Sequence, residues 1–462
     1  MLGSYYSDNH TMIRKILKSL GILLGIILVA VVMYLSYIAH GITGYAAKHV
    51  ASGVFVSGRA QESIEKEDVG FFPVKYAKNN VDFANKEVTS RFMVWTSKVI
   101  YNEGLGCTLV NDFSADEVRK LDYPKTDLKE VNQDTIPWPA GNKVSDTVPE
   151  GIDILKINDL MNQIFADTMP YKGTFAVAVV YKDQLIAERY RSDLSPATRL
   201  LGWSMAKSFT NAMVGLLVKE GKVDVNKPLE LKEWADDERR NITINNLLHL
   251  NSGLKYNEDY SKVMLTDITT MLTKKGDMAA YAASKKQLVR PDSIWNYSGG
   301  SSNIVEDYLH KAFANEEEYL AFPRKALFSR IGMESAVFEP DASGTFVGSS
   351  YIYATSRDYA RFGLLYLHNG NWLGEQLLPE DWVKYTTTPA KGSGGNYGAH
   401  FWINGSGEYP GVPADLFWCD GHDGQFIYII PSKQLVVVRN GFSPGEMFNE
   451  KTFLKRICDA VK

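Results

Sequence analysis

Ser204 and Lys207 stand three residues apart at the start of an apolar stretch. On a helix this spacing places both side chains on one face, one turn apart. A serine hydroxyl is a poor nucleophile until a base takes its proton, and a lysine can act as that base only when burial or nearby positive charge lowers its pKa. A helix amino terminus supplies a positive field and free backbone N–H groups that stabilise an oxyanion. The pair therefore indicates nucleophilic catalysis, although a helix N-cap is the ordinary role of such a serine.

The same spacing occurs twice more in the chain, at Ser63 and Lys66 and at Ser252 and Lys255. Acidic residues surround Ser63, which is typical of a solvated surface, and a glycine follows Ser252, which is typical of a turn. The pair at Ser204 is distinguished because it opens an apolar helix.

Two further clusters contain groups that suit such a site. Tyr297 precedes a glycine-rich helix start, where a phenol can share a proton with a lysine; the alternative is an aromatic packing residue. Residues 421–425 open a hydrophobic strand, which can lend a second oxyanion N–H to a nucleophile beside it; the alternative is a polar hairpin entry. No metal ion is predicted, because no known ligand spacing is matched by the candidate donors Cys419, Asp420, His422 and Asp423.

A Ser-His-Asp triad is a competing interpretation. Gly202, Ser204 and Ala206 partly match a nucleophile elbow, and His422 with Asp423 lies downstream. An elbow needs a hydrophobic strand before it and a second glycine, whereas only two leucines precede Gly202 and an alanine occupies the second glycine position. The serine, lysine and tyrosine set is therefore preferred.

The composition is that of a globular chain long enough for two or three domains. Its 462 residues are 45% hydrophobic and 23% charged, which excludes a wholly disordered, collagen-like or coiled-coil protein. A net charge of −4 gives no sign of a dedicated nucleic-acid binder. One disulfide is possible, but a disulfide framework is excluded by the small number of cysteines, which are Cys107, Cys419 and Cys458.

An uncharged apolar run covers residues 19–39. As a helix it spans about 30 Å, the thickness of the bilayer hydrocarbon. Arg14 and two lysines precede the run and Lys48 is the first positive charge after it, which predicts that residues 1–18 are cytoplasmic and that the bulk lies outside a bacterial-type inner membrane. The alternatives are a cleaved signal peptide, which has a shorter apolar region, and a buried core helix, which usually has a polar face.

The rest of the chain divides into an extension, residues 40–149, and a compact domain, residues 150–462. In the extension, alternating stretches at 53–56 and 92–95 predict strands, and the polar residues 115–149 have the composition of a linker or wrapping segment. Strands at both ends of the compact domain, with helices between them, predict an α+β fold around one antiparallel sheet. The predicted elements are strands 174–181, 185–190, 425–430 and 434–439 and helices 205–220, 358–368, 379–386 and 448–461.

Taken together, the three clusters resemble the motifs of class C beta-lactamases and penicillin-binding proteins. In chain order the motifs are Ser204-x-x-Lys207-Ser208, Tyr297-Ser298-Gly299 and His422-Asp423-Gly424. Within this superfamily of serine hydrolases, the chain is most similar to the 6-aminohexanoate-dimer hydrolase and esterase branch. Further segments that agree with this branch are residues 247–254, 346–358, 360–366 and 397–402. The resemblance covers about residues 150–460.

The resemblance implies a beta-lactamase/transpeptidase-like fold, in which an antiparallel sheet flanked by helices faces a mostly helical region across the site. It implies that Ser204 forms an acyl-enzyme and that Lys207 and Tyr297 handle the proton. The backbone N–H groups of Ser204 and Gln425 would form the oxyanion hole. Substrate-binding positions would be His422, Asp423 and Gly424, with His422 where penicillin-binding relatives carry a lysine. No cofactor is implied.

Two departures bear on the substrate. Gly299 stands where many lactamases carry an asparagine, and His422 replaces a permanent positive charge by a titratable one. The sequence therefore predicts a membrane-anchored serine hydrolase of small-molecule amides, esters or peptides, with no nucleic-acid partner. The alternative is a sensor module that binds cell wall or beta-lactams without turnover, or is acylated once. A purely structural membrane protein would leave the three motifs unexplained.

Overall fold

The computed structural model describes residues 2–123, 132–260 and 264–462. The helices are α1 (Leu2–Phe55), α2 (Gln61–Glu67), α3 (Ala115–Arg119), α4 (Ile154–Ile164), α5 (Ala206–Lys219), α6 (Ile244–Leu248), α7 (Asp267–Lys274), α8 (Met278–Ala283), α9 (Gly299–Lys311), α10 (Glu316–Phe322), α11 (Ser356–Leu367), α12 (Trp382–Thr386) and α13 (Glu450–Asp459). The strands are β1 (Lys78–Asp82), β2 (Glu87–Phe92), β3 (Trp95–Asn102), β4 (Gly106–Val110), β5 (Thr174–Tyr181), β6 (Gln184–Tyr190), β7 (Leu200–Leu201), β8 (Val337–Phe338), β9 (Ile352–Ala354), β10 (Asn371–Trp372), β11 (Glu375–Gln376), β12 (Trp402–Ile403), β13 (Phe417–Gly421), β14 (Gln425–Ile430) and β15 (Leu435–Gly441).

A six-stranded antiparallel sheet with the order β12-β13-β14-β15-β5-β6 forms the centre of the compact domain. The pairing of β15 with β5, with Val437 opposite Val179, joins the two ends of the domain. Both hairpins that the sequence predicts are present, and every residue of β5, β14 and β15 is buried. Such strands read as continuous apolar runs because both faces of the sheet are covered.

Helices cover the two faces of this sheet. On one face, α4 and α13 pack apolar side chains such as Leu160 and Ile457 against Val437 and its neighbours. On the other face lies α11, where a Cβ at Gly363 would press into Val436 on the sheet. This α+β arrangement confirms the predicted fold class.

The helix α5 lies between the sheet and the helical region that contains α6 to α10. Its residues Ala206 to Leu217 are all buried, so it has no solvent face. Its observed bounds are within one residue of the predicted helix 205–220. A helix enclosed in this way holds the groups at its amino terminus in fixed positions.

The apolar run at residues 19–39 belongs to α1, and it is the one helix of the described residues that is long and apolar enough to cross a membrane. The most apolar stretch of this helix is exposed, which argues against the alternative that it is a buried core helix. The helix does not stop at residue 39: Tyr37 is 41% exposed, whereas Ala39 is fully buried. From there to Phe55 the same helix is a core element of the extension.

Two local predictions in the extension are wrong. Residues 53–55 form the end of α1 and Val56 lies in the turn that follows, rather than in a strand, because helix packing outweighs the local pattern. Residues 92–95 contain the turn between β2 and β3. Strands are nevertheless present, since β1 to β4 form a four-stranded antiparallel sheet against α1.

A buried ion pair fastens α1 to the compact domain. Lys48 Nζ lies 2.5 Å from Glu339 Oε2, and both side chains are almost fully buried. Glu339 also accepts hydrogen bonds from Ser52 Oγ at 2.9 Å and from the Cys107 N–H at 2.7 Å. Removing one partner of such a buried pair lowers the free energy of unfolding by far more than the pair itself contributes to it. The pair therefore holds α1 and the domain in one arrangement.

The polar segment 115–149 wraps the compact domain where it is described; residues 124–131 lie outside the described residues. The fully buried Arg361 donates to Pro139 O at 2.8 Å and to Gly141 O at 2.6 Å, and its guanidinium stacks on Trp138. All three cysteines are buried free thiols.

Candidate active site

Ser204 lies in a tight turn at the junction of a short strand and a long helix. The two residues of β7 lead into a 3-10 turn, Trp203–Met205, and α5 follows at once. Trp203 has a φ of +49°, a left-handed conformation that a bulky residue rarely adopts. This turn leaves Ser204 half-buried at the amino-terminal end of α5.

Lys207 points back at this serine from the first turn of α5. Its Nζ lies 3.0 Å from Ser204 Oγ and donates to Ser349 O at 3.1 Å. Burial lowers the pKa of Lys207 from its usual value, and the negative charges of Glu258 and Asp420 partly oppose that shift. A lysine with a lowered pKa beside a serine hydroxyl is the arrangement that a Ser-Lys mechanism needs.

Tyr297 completes the group from the loop before α9. Lys207 Nζ lies 4.8 Å from the centre of the Tyr297 ring. Burial and the charge of Glu258 raise the pKa of Tyr297 well above 10, and a hydrogen bond with the Ser204 side chain opposes them. The phenol is therefore protonated at neutral pH and able to donate. The structure thus brings all three residues of the predicted set together.

The third cluster forms the turn of the β13–β14 hairpin. This hairpin packs against the 3-10 turn Trp203–Met205 that carries Ser204, which is called the serine turn below. A Cβ at Gly421 would clash with Gly202 O, so the hairpin approaches the serine turn closely. Gln425 is buried and its side chain donates to His422 O at 3.1 Å and to Gly441 O at 2.5 Å. The side chain therefore fixes the hairpin, and the oxyanion role of the Gln425 N–H stays a prediction.

His422 lies between two aromatic rings rather than against the serine. Its ring stacks on Tyr260 at 4.7 Å and meets the edge of Trp203 at 5.6 Å, while Nε2 lies 3.5 Å from Asp423 Oδ2. The hydrogen bond to Ser204 Oγ comes from Lys207 instead. This geometry favours the serine, lysine and tyrosine set over the alternative triad.

Sequence reasoning missed two carboxylates beside this set. Glu258 accepts the Gly299 N–H at 2.5 Å and the Tyr260 hydroxyl at 2.7 Å. Asp420, which was considered only as a metal donor, accepts the Trp418 indole N–H at 3.2 Å, and burial raises its pKa to about 7. Neither residue belongs to a motif, and only the fold brings them near Lys207.

His400 is a further missed residue, which ties three helices behind the site. Its Nδ1 lies 2.8 Å from Leu248 O and its Nε2 lies 2.9 Å from Ser302 Oγ. Its carbonyl accepts from Ser208 Oγ at 2.7 Å, one residue after Lys207. Burial and the charge of Lys207 lower the pKa of His400 well below 6.5, so the ring is neutral, with Nδ1–H as the donor.

Comparison with known proteins identifies the family. The family model described as Beta-lactamase matches residues 163–456, which is more than half of the chain. The chain belongs to this family. It is a serine hydrolase of the beta-lactamase fold, as the three motifs indicate.

Individual relatives agree with this membership. A 6-aminohexanoate-dimer hydrolase of Paenarthrobacter ureafaciens is 23% identical over 288 residues, which are 58% of this chain and 72% of the relative. Among solved structures, a protein from Bacteroides dorei that is provisionally named a beta-lactamase has a TM-score of 0.54 at 18% identity, covering 67% of this chain and 99% of its own. An octameric penicillin-binding protein homologue from Pyrococcus abyssi has a TM-score of 0.51 at 15% identity, over 67% and 77% of the two chains.

The family assignment also separates the three Ser-x-x-Lys pairs. Ser63 donates to Glu67 at 3.3 Å on α2, and Ser252 Oγ accepts from the Leu254 N–H at 3.4 Å in a turn. Within the matched beta-lactamase region, only Ser204 both opens a buried helix and bonds its lysine.

We expect Glu258→Gln to move the acidic limb of the pH profile of kcat/KM to lower pH. The Glu258 charge raises the pKa of Lys207, so removing it lowers that pKa and leaves the neutral amine available at lower pH. Glutamine keeps an oxygen for the Gly299 N–H. The measurement is the pH profile of ester hydrolysis, with the exposed Glu317→Gln as a control that leaves the limb in place. An unmoved limb in Glu258→Gln would show that another group controls it.

We expect Gly424→Ala to destabilise the protein by about 2–3 kcal/mol. Gly424 has a φ of +91°, and a Cβ there would clash with the Arg439 guanidinium. That guanidinium donates to Gly424 O at 2.6 Å and so fastens the hairpin. Chemical denaturation measures the effect, and Gly445→Ala, which has positive φ but open space, should cost only the backbone strain.

Proposed function

We propose that this protein is a membrane-anchored hydrolase that cleaves an amide, ester or peptide bond through an acyl-enzyme on Ser204. The observation that carries the proposal is the 3.0 Å contact between the buried Lys207 Nζ and Ser204 Oγ. The name of the curated relative from Paenarthrobacter, a hydrolase of a 6-aminohexanoate dimer, supports an amide among the substrates.

In the proposed mechanism, Lys207 in its neutral form takes the Ser204 proton as Oγ attacks the substrate carbonyl carbon. The C–N or C–O bond then breaks, and the leaving group receives that proton through Lys207 or the Tyr297 hydroxyl. Because the pKa of Tyr297 is raised, the phenol serves as a donor and relay rather than as the initial base. Water next attacks the acyl-enzyme, the bond from carbon to Oγ breaks, and the water proton returns to Ser204.

The third motif, in the β13–β14 hairpin, supplies the remaining groups in this proposal together with the backbone of Ser204. Backbone N–H groups of Ser204 and Gln425 would stabilise the oxyanion, and His422 with Asp423 and Gly424 would line the substrate position. His422 is partly exposed beside Trp203, which supports a role in substrate contact.

The test is activity-based labelling combined with a substrate panel. A fluorophosphonate should label one site, and at least one of a set of esters, amino-acid amides and a chromogenic lactam should be turned over repeatedly. Labelling without any turnover would overturn the enzymatic proposal in favour of the once-acylated sensor.

For the membrane topology, we infer that residues 1–18 are cytoplasmic and that the compact domain lies on the opposite side of the membrane. Arg14 and its neighbouring lysines flank the apolar run on one side, whereas Lys48 on the other side is buried against Glu339. Alkaline phosphatase fused to the carboxyl terminus should be active in a bacterial host, because its disulfides form only outside the cytoplasm. A fusion that is well expressed but inactive would show that the orientation is the opposite of the one inferred.

A further inference from the structure

An apolar cavity of about 390 Å³ lies beside the serine turn and is separate from the proton-handling groups. Its apolar wall includes Tyr45 from α1, Ile268 and Leu272 from α7, and Trp203, the residue immediately before Ser204. The polar groups His422 and Asp423 lie at the same wall as Trp203. For scale, a dry apolar cavity of about 150 Å³ is sufficient for a benzene molecule, so this cavity has room for a larger aliphatic group.

The cavity lies close to the membrane because one of its walls is the continuation of the apolar helix α1. Tyr37, at the end of the exposed run, and Tyr45, in the cavity wall, are eight residues apart on one helix, which corresponds to about 12 Å. The buried ion pair between Lys48 and Glu339 fixes this helix to the compact domain, so that no flexible linker separates the cavity from the apolar run.

The second wall of the cavity also leads to the membrane edge. Lys274, the last residue of α7, lies with Nζ 3.1 Å from the centre of the Tyr37 ring. Tyrosine and lysine side chains are typical of the membrane interface. Ile268 and Leu272 stand one turn apart on the same helix and face the cavity. Both α1 and α7 therefore connect the bilayer surface to the serine turn.

Exposed apolar side chains continue the cavity wall outward. Phe72 is 71% exposed and directly follows Phe71 of the wall, and Leu265 is 48% exposed and directly follows Met264 of the wall. Exposed apolar groups next to an apolar cavity mark a site of contact with a membrane or a ligand.

One polar atom in the wall is buried without a partner. His49 is almost fully buried and lines the cavity, and its Nε2 makes no hydrogen bond in the described structure. Buried polar atoms are nearly always paired, so an unpaired one beside a cavity points to a ligand that carries a polar group there.

We propose that the substrate is a membrane-borne amphiphile whose aliphatic chain fills this cavity while its amide or ester carbonyl lies at Ser204. This inference rests on the proposed function and adds the substrate class. A carbonyl or hydroxyl group of the amphiphile would pair with His49 Nε2. The cavity favours a lipid-like substrate over a water-soluble peptide because its apolar walls offer little to a hydrated chain.

The first test uses the full-length protein in detergent with two series of soluble esters, one lengthened in the acyl chain and one in the alcohol chain. In one series kcat/KM should rise roughly fourfold for each added methylene until the cavity is full. A flat profile in both series would overturn the inference but leave the proposed function intact. Failure of every ester together with failure of fluorophosphonate labelling would instead refute the proposed function.

Two variants test whether the aliphatic chain of the substrate lies in the cavity. Leu272→Trp should lower the ratio of long-chain to short-chain kcat/KM by tenfold or more, and Ile268→Trp provides a second variant if the first does not fold. The matched control is Leu288→Trp at an exposed position outside the cavity, which should leave the ratio unchanged. A steep chain-length profile that both cavity variants retain would place the chain elsewhere and overturn the inference.

The last arm tests whether the substrate comes from the bilayer. The protein is reconstituted in vesicles, and a fluorogenic long-chain ester is placed in the same vesicles or in separate protein-free vesicles. Hydrolysis should be at least tenfold faster when enzyme and ester share a bilayer. Equal rates in the two arrangements would show that the substrate arrives through water.

Discussion

Replacing Ser204 by alanine should lower kcat/KM for any substrate of this protein by about 10⁴-fold or more. The acyl-enzyme route needs an oxygen at this position, and alanine removes it while leaving the buried Lys207 and the hairpin in place. Labelling by a fluorophosphonate should disappear in the same variant. Steady-state kinetics and in-gel labelling are the two measurements.

The chain contains its own matched control for this change. Ser63 has the same spacing to a lysine on α2 but donates to Glu67, so Ser63→Ala should leave both activity and labelling unchanged. The thermal unfolding midpoint of Ser204→Ala should stay near that of the unmodified protein, because the side chain is small and half-buried. Turnover that persists in a well-folded Ser204→Ala would exclude this serine as the nucleophile.

The parts of the fold that could be predicted are those whose signal is local. The strand β14 reads Gln-Phe-Ile-Tyr-Ile-Ile before a Pro-Ser-Lys turn, and all six residues are buried as that run indicates. Ser204 and Lys207 lie one turn apart because a helix places residues at that spacing on one face. The meeting of Tyr297 with this pair followed from the resemblance rather than from any local pattern.

The parts that could not be predicted depend on contacts between distant residues. Lys48 looks like a solvent-exposed charge after an apolar run, but it is buried because Glu339 lies beside it across a sequence separation of 291 residues. Residues 53–56 include β-branched and aromatic side chains that suit a strand, yet the packing of α1 on the sheet of the extension keeps residues 53–55 helical. Glu258 carries no motif, and only the folded chain brings it to α9.

The reactive groups of the site and the apolar cavity beside them differ in the same way in how far the sequence predicts them. The proposed nucleophile and proton acceptor have a sequence signature because such chemistry fixes residue types and spacing. An apolar cavity has no such signature, because many combinations of large side chains from α1 and α7 would enclose it equally well.

Lys207→Arg should lower kcat by about 10²- to 10⁴-fold, the usual contribution of a positioned general base. Arginine keeps the positive charge but stays protonated at every working pH, so it cannot take the Ser204 proton. Lysine at this position is the proposed acceptor, because burial lowers its pKa. Fluorophosphonate labelling should slow in parallel, since the same proton transfer activates the serine towards the probe.

Two comparisons make this result specific to proton transfer. Lys66→Arg repeats the substitution in the other helical Ser-x-x-Lys pair, where the lysine is exposed, and should leave the rate unchanged. Lys207→Gln removes the charge and adds no volume in a fully enclosed position, and it should be as inactive as the arginine variant if the base is what matters. If Lys207→Arg were active and Lys207→Gln inactive, the lysine would act only as a positive charge, and the serine proton would have to leave through Tyr297. That outcome would require a phenolate, which the raised pKa of Tyr297 disfavours. The buried amine is therefore the acceptor most consistent with the geometry.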